Sequence, residues 1–142
     1  MDNINVDILC SSAGVPSADE DGAATLAVAS TADVRTHSHN IQGASAMVLM
    51  YKAKVDSGSV DVDLYLEQGP DAPTTEGQAG DAVDGWHQIG NKIADVLDEN
   101  WHSVTLSPVV LPRLRILADG QGANPASCKM IFKLGKQEAL AC

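Results

Sequence analysis

The stretch Val60-Asp61-Val62-Asp63-Leu64-Tyr65-Leu66-Glu67 decides how this chain is read. On an extended strand, Val60, Val62, Leu64 and Leu66 share one face, while Asp61, Asp63, Tyr65 and Glu67 share the other. Wound as a helix, the same residues would scatter their apolar side chains around the circumference. The run is therefore a strand with one side in a core and the other toward water. The preceding run, Ala46 to Val55, is apolar on both faces through Met47, Val48, Leu49 and Met50, then alternates through Tyr51, Lys52, Ala53, Lys54 and Val55. This predicts a central strand whose second half reaches solvent. Between the two runs, Asp56-Ser57-Gly58-Ser59 is short and rich in turn residues, so an antiparallel hairpin is expected.

Outward from this pair, six further short runs read as strands: Ile4 to Cys10, Thr25 to Ser30, Gln88 to Ile93, His102 to Leu106, Arg113 to Ala118 and Lys129 to Leu134. That makes about eight. Pro108 and Pro112 bracket Val109-Val110-Leu111, and a residue without a backbone donor does not belong in mid-sheet, so a bend or edge crossing is expected there. Helical patterning is confined to Asn91 to Glu99, where Ile93, Val96 and Leu97 would form a turn or two; a strand from Trp86 through Ile93 fits equally well. Gly69 to Gly85, rich in Gly, Pro and acids, reads as a long exposed loop, and Asp119 to Pro125 as another. Many short strands with frequent turn signals predict an all-β fold: an antiparallel two-sheet β-sandwich, jelly-roll-like, in a single domain over 1–142.

The chain has 142 residues, enough to bury a core without disulfide or metal staples. Nineteen are alanine and five are aromatic, so the core must come from Val, Leu, Ile and Met, and broad aromatic platforms for sugars or bases are disfavoured. A formal charge of −10 repels phosphate backbones and anionic lipid; neither nucleic acid nor membrane is expected as a partner. The acidic opening Met1-Asp2-Asn3-Ile4 has no basic n-region or apolar h-region, so no secretory signal is expected. Cys10, Cys128 and Cys142 are odd in number and lack metal-ligand spacing, which reads as free thiols in a reducing compartment.

No motif for chemistry emerges. There is no G-x-S-x-G elbow. His37-Ser38-His39 would place two imidazoles on one strand face, but nothing singles out His87 or His102 as a third zinc ligand. Asp19-Glu20-Asp21-Gly22 lacks the spaced acids of a calcium loop. Trp86-His87 and Trp101-His102 read as core or sheet-edge anchors more readily than as a sugar platform. No catalytic residue, metal ligand or cofactor is therefore expected.

Charge is segregated along the chain. Met1 to Val34 carries six acids and Val55 to Asn91 eight, with no Lys or Arg in either stretch. Toward the C-terminus, Arg113, Arg115, Lys129, Lys133 and Lys136 face the single acid Asp119. Such asymmetry permits contacts between copies, or with another surface, while basic outer strands that neutralise acidic loops within one molecule are the commoner arrangement. Arg113, Arg115, Lys129 and Lys133, alternating with apolar residues on their strands, are the candidate protein-contact residues.

The stretch Trp101-His102-Ser103-Val104-Thr105-Leu106-Ser107-Pro108, followed by Leu114-Arg115-Ile116-Leu117-Ala118-Asp119-Gly120 and Asn124-Pro125-Ala126, resembles the closing strands of small β-sandwich structural proteins of tailed bacteriophages, capsid decoration or cement proteins among them. The likeness covers roughly the C-terminal two-thirds of the chain and transfers no functional residue. It implies a non-enzymatic protein that bridges major capsid proteins, alongside sister copies as a dimer or trimer, on the virion surface after assembly in the host cytoplasm, with residues 1–16 as an extended N-terminal arm ordered by the shell or by a sister subunit. A carbohydrate- or receptor-binding module of a phage tail is the alternative. Its mark would be Trp86, Trp101 or Tyr65 exposed together in one groove.

Overall fold

The computed structural model describes residues 3–9, 17–18, 24–31, 33–36, 38–55, 57–70, 85–106, 110–122 and 128–138. Its strands are β1 (Asn3–Leu9), β2 (Ser17–Ala18), β3 (Ala24–Val28), β4 (Asp33–Arg35), β5 (His39–Asn40), β6 (Ala44–Val55), β7 (Val62–Gly69), β8 (His87–Gln88), β9 (Ala94–Val96), β10 (His102–Leu106), β11 (Arg113–Gly120) and β12 (Cys128–Glu138). The fold is an all-β sandwich of two antiparallel sheets. All eight expected runs contain strand. The sequence pattern does not show the two- and three-residue strands β2, β4, β5 and β9; of the run Gln88 to Ile93 only Gln88 is in a strand, and β9 lies within Asn91 to Glu99, where the helical turn does not form.

Sheet one has the order β10-β6-β12, and β12's other edge is shared end to end by β3, opposite its first residues, and β1, opposite its last. β2 lies outside β3. In sheet two, β5 and β4 share one edge of β11; β7 takes the other, and β8 and β9 share β7's far edge. Asn3–Leu9, within the segment read as an arm, is thus a strand of sheet one.

Alternation builds the core. Met47, Leu49, Tyr51 and Ala53 of β6 and Cys128, Met130, Phe132 and Leu134 of β12 point inward against Val62, Leu64 and Leu66 of β7 and Leu114, Ile116 and Ala118 of β11. Phe132 is the largest fully buried side chain. The layer is mainly Val, Leu, Ile and Met, as the composition required, with Tyr51 and Phe132 its aromatic members.

The expected β6–β7 hairpin does not form. β6 pairs with β10 and β12 while β7 pairs with β8, β9 and β11, so the connection is a corner between sheets. Gly58 takes a left-handed φ of 85° there, and Val60 turns into the core. Both strands are apolar enough inside to be sandwich partners, and stacking them face to face buries more than pairing them edge to edge. Chain crossings of this kind place β3, β6, β10 and β12 in one sheet and β4, β5, β7 and β11 in the other.

Between β4 and β5 the edge carries one extra residue. Arg35 is opposite Leu117 and His39 opposite Leu114, four steps against three, which defines a bulge. Thr36 bridges it: its N–H donates to the Ile116 carbonyl at 3.0 Å and its Oγ1 accepts from Ile116 N–H at 3.0 Å.

Candidate protein-contact surface

The four cationic residues singled out from the sequence part into two groups. Arg113 is buried: its Nε donates to Ser38 Oγ at 3.0 Å and its Nη2 to the Ser38 carbonyl at 3.1 Å. Arg115 is covered too, its Nε 2.9 Å from Glu67 Oε1 and its guanidinium carbon 4.1 Å from the centre of the Trp86 ring. Neither is an exposed contact residue. The bulge brings Ser38 over Arg113, and the Trp86 segment lies over Arg115, coverings that β11's own alternation cannot report. Glu67 also accepts from Arg35 Nε at 2.8 Å, making it the shared anion of two guanidinium groups on sheet two.

Lys129 and Lys133 do lie on an outer surface, that of sheet one. Lys129 is exposed and opposite Lys54, while Lys133 extends its Nζ to 5.1 Å from the ring centre of Trp101. Lys52 approaches the same ring from β6 at 6.0 Å. Trp101 is 47% exposed, an indole held between two ammonium groups without being buried by them.

Toward the other end of the same face, the surface turns apolar. Val48 is 38% exposed, and with Ala46, Met50 and Gly135 it lines a depression of about 310 Å³. Gly135 stands opposite Val48 on β6 and Val6 on β1. A methyl group at Gly135 would meet its nearest neighbour, the Val48 carbonyl, at an ordinary contact distance of 3.7 Å, so the fold does not require glycine there. Glycine inside a strand weakens it and often marks close approach of a ligand or another backbone. The sequence reading missed this patch. An apolar run on both faces from Met47 to Met50 points to a central strand that reaches solvent in its second half, whereas the outer side of β6 is already exposed in its first half.

The outer face of sheet two is acidic at one end. Asp33 is opposite Asp119, Asp119 opposite Asp63, and Asp63 opposite Asp95, a row across four strands. Lys92 reaches Asp63 at 3.2 Å and Asp95 at 3.4 Å, and its own pKa is raised chiefly by the bond to Asp63. Burial, then the bond to Asp33, pushes the Asp119 carboxyl above the usual carboxylate range. Asp61, Asp63 and Asp95 bring carboxylate oxygens within 4.8 Å of one another, the sole such group of potential metal ligands among the described residues. No single stretch of sequence signals this row, because its members come from four strands.

The described histidines do not gather. His39 is opposite Leu114 across the bulge, His87 pairs with Gln68, and His102 Nε2 bonds Asp98 Oδ1 at 2.7 Å, which holds the Asp98 carboxyl below its ordinary value. His37, Cys10, Cys142, the Asp19 to Gly22 run, and most of the loops expected after Gly69 and Asp119 lie outside the described residues, as does Pro108. Trp86 and Trp101 lie against opposite sheets, so the two indoles share no groove, while Tyr65 belongs to β7 of the sheet that Trp86 covers. Comparison with protein-family models finds no match, and comparison with curated proteins finds none either.

Proposed function

We propose that this chain is a non-enzymatic structural protein that decorates and stabilises a bacteriophage capsid, bridging major capsid proteins through the outer face of sheet one. The observation that carries this reading is Gly135. A residue free to bear a side chain instead leaves an apolar depression in an exposed sheet, where a neighbour's side chain can insert. Exposed apolar surface rimmed by polar groups is the usual mark of a protein contact. The exposed indole of Trp101 adds an amphipathic anchor of the type enriched at such interfaces.

The strand order supports a jelly-roll reading. Counting β4 with β5 and β8 with β9 as one position each, the order runs β3-β12-β6-β10 in one sheet and β4/β5-β11-β7-β8/β9 in the other, the interleaving that two nested Greek keys produce. A rigid sandwich of this kind adds stability to a shell by linkage: each contact counts only while the subunits it spans are in place, so modest contacts reinforce one another.

The test is occupancy on the particle. Mass spectrometry and electron cryomicroscopy of virions from the phage encoding the chain should find it on the outer shell in many copies. Gly135→Arg, which fills the depression with a charged side chain, should lower rebinding to stripped shells by at least about tenfold. Virions lacking the protein, or unchanged rebinding of the variant, would end this reading.

A further inference from the structure

The outer faces of the sandwich carry patches of opposite charge. On sheet one, Lys52 and Lys133 stand against Trp101 and Lys129 lies further along β12, opposite Lys54; across one end of sheet two run Asp33, Asp119, Asp63 and Asp95, with Lys92 at the Asp63–Asp95 end. We propose that the lysine and Trp101 patch of one copy receives the aspartate row of a second copy, in a head-to-tail contact. The inference rests on reading the chain as a protein that works through its surfaces, and it assigns a patch separate from the Gly135 depression.

The dimensions match. Strands in a sheet lie about 4.8 Å apart, so a row spanning four strands is roughly 14 Å long. Lys129 and Lys133 are four residues apart on one strand, roughly 13 Å at about 3.3 Å per residue. The acidic row crosses its strands, whereas the lysines run along theirs. Bringing the two into alignment therefore sets the strands of neighbouring copies nearly perpendicular.

The energetics point the same way. Like charges directly opposite one another in a sheet repel, and here three successive cross-strand pairs are Asp–Asp. The raised carboxyl of Asp119 records part of that repulsion. Docking the lysine patch on this row relieves it. Because the two patches differ, each contact leaves one of each kind exposed at the ends, and association continues into a ring or a chain.

Sedimentation velocity of the full chain tests this, at low salt (about 20 mM) and at about 0.5 M, where exposed charges are screened within a few ångströms. The wild-type protein should form species larger than two copies at low salt and revert to monomer at high salt. Lys129→Gln/Lys133→Gln keeps the aspartate row, and Asp63→Asn/Asp119→Asn keeps the lysine patch. Each should remain monomeric alone, and an equal mixture should stop at a heterodimer, which also shows that both variants are folded. The Gly135→Arg variant should assemble as the wild type does, so loss of capsid binding and loss of self-association are separate results. A wild-type chain that stays monomeric at low salt, variants that assemble unaided, or a mixture that remains monomeric would each overturn the proposal; the first would leave the lysine patch to an acidic partner other than a copy of this chain.

Discussion

The indole of Trp86 packs on the backbone of Gly69: three of its ring carbons would lie 2.5 to 2.7 Å from a β-carbon placed at that glycine. No real side chain tolerates that approach. The absence of a side chain at the end of β7 is what lets Trp86 lie against sheet two, within cation–π reach of Arg115 at 4.1 Å. Gly120 plays a related part at the end of β11, where a methyl group would collide with the Ala29 carbonyl just beyond β3.

Gly69→Ala should therefore expel the indole and destabilise the fold by about 1–3 kcal/mol, the usual cost of overpacking. In the Trp86→Ala background the same substitution should cost far less. Urea denaturation of the two single variants and the double variant would give the coupling directly; additive effects would show that the ring and the glycine do not interact.

Glu67 is the common acceptor for Arg35 and Arg115, and its side chain is only 10% exposed. Glu67→Gln keeps the shape but leaves Arg115, itself only 11% exposed, without its counter-ion. A loss of about 2–3 kcal/mol in unfolding free energy is expected, in the range for hydrogen bonds to charged groups. Arg35→Ala should cost clearly less, because that side chain is 40% exposed and its pairing is screened.

Asp119 gives a pH signature of definite sign. Its carboxyl is raised in the folded state by burial and by Asp33, so the folded chain holds that proton more tightly than the unfolded one. Stability from this group is present below the ordinary carboxylate range and is lost as pH rises through the folded value. Asp119→Asn should be the more stable protein at neutral pH, by about 0.5 kcal/mol for relief of cross-strand repulsion. The advantage should shrink on acidification toward the ordinary carboxylate range, measured as the difference in denaturation midpoint between variant and wild type.

Cys128 is fully buried, and burial pushes its thiol up to about 11. It should resist alkylation in the native protein at neutral pH and react only after unfolding, as peptide-level mass spectrometry would show. Cys128→Ala should be tolerated better than Cys128→Ser, which introduces a buried hydroxyl in need of a partner, at a cost of about 1–3 kcal/mol.

The strands themselves were legible in the sequence. Val60 to Glu67 alternates strictly, and in the structure Val62, Leu64 and Leu66 are buried while Asp63 and Tyr65 face outward. Lys129 and Lys133 were likewise legible as outward residues. Alternation reports which sides of a strand differ, a property of that strand alone, and it determined the all-β class, the location of most strands and the composition of the core. Tertiary structure decided the rest. β6 and β7, adjacent in sequence, joined different sheets because strand partners are chosen by contacts between distant residues. Arg113 and Arg115 alternate as surface residues should, yet Ser38 and Trp86, far away in the chain, cover them. The aspartate row and the Gly135 depression exist only once four strands, or three, lie side by side. A local pattern sets the two faces of each strand; long-range packing determines what each face meets.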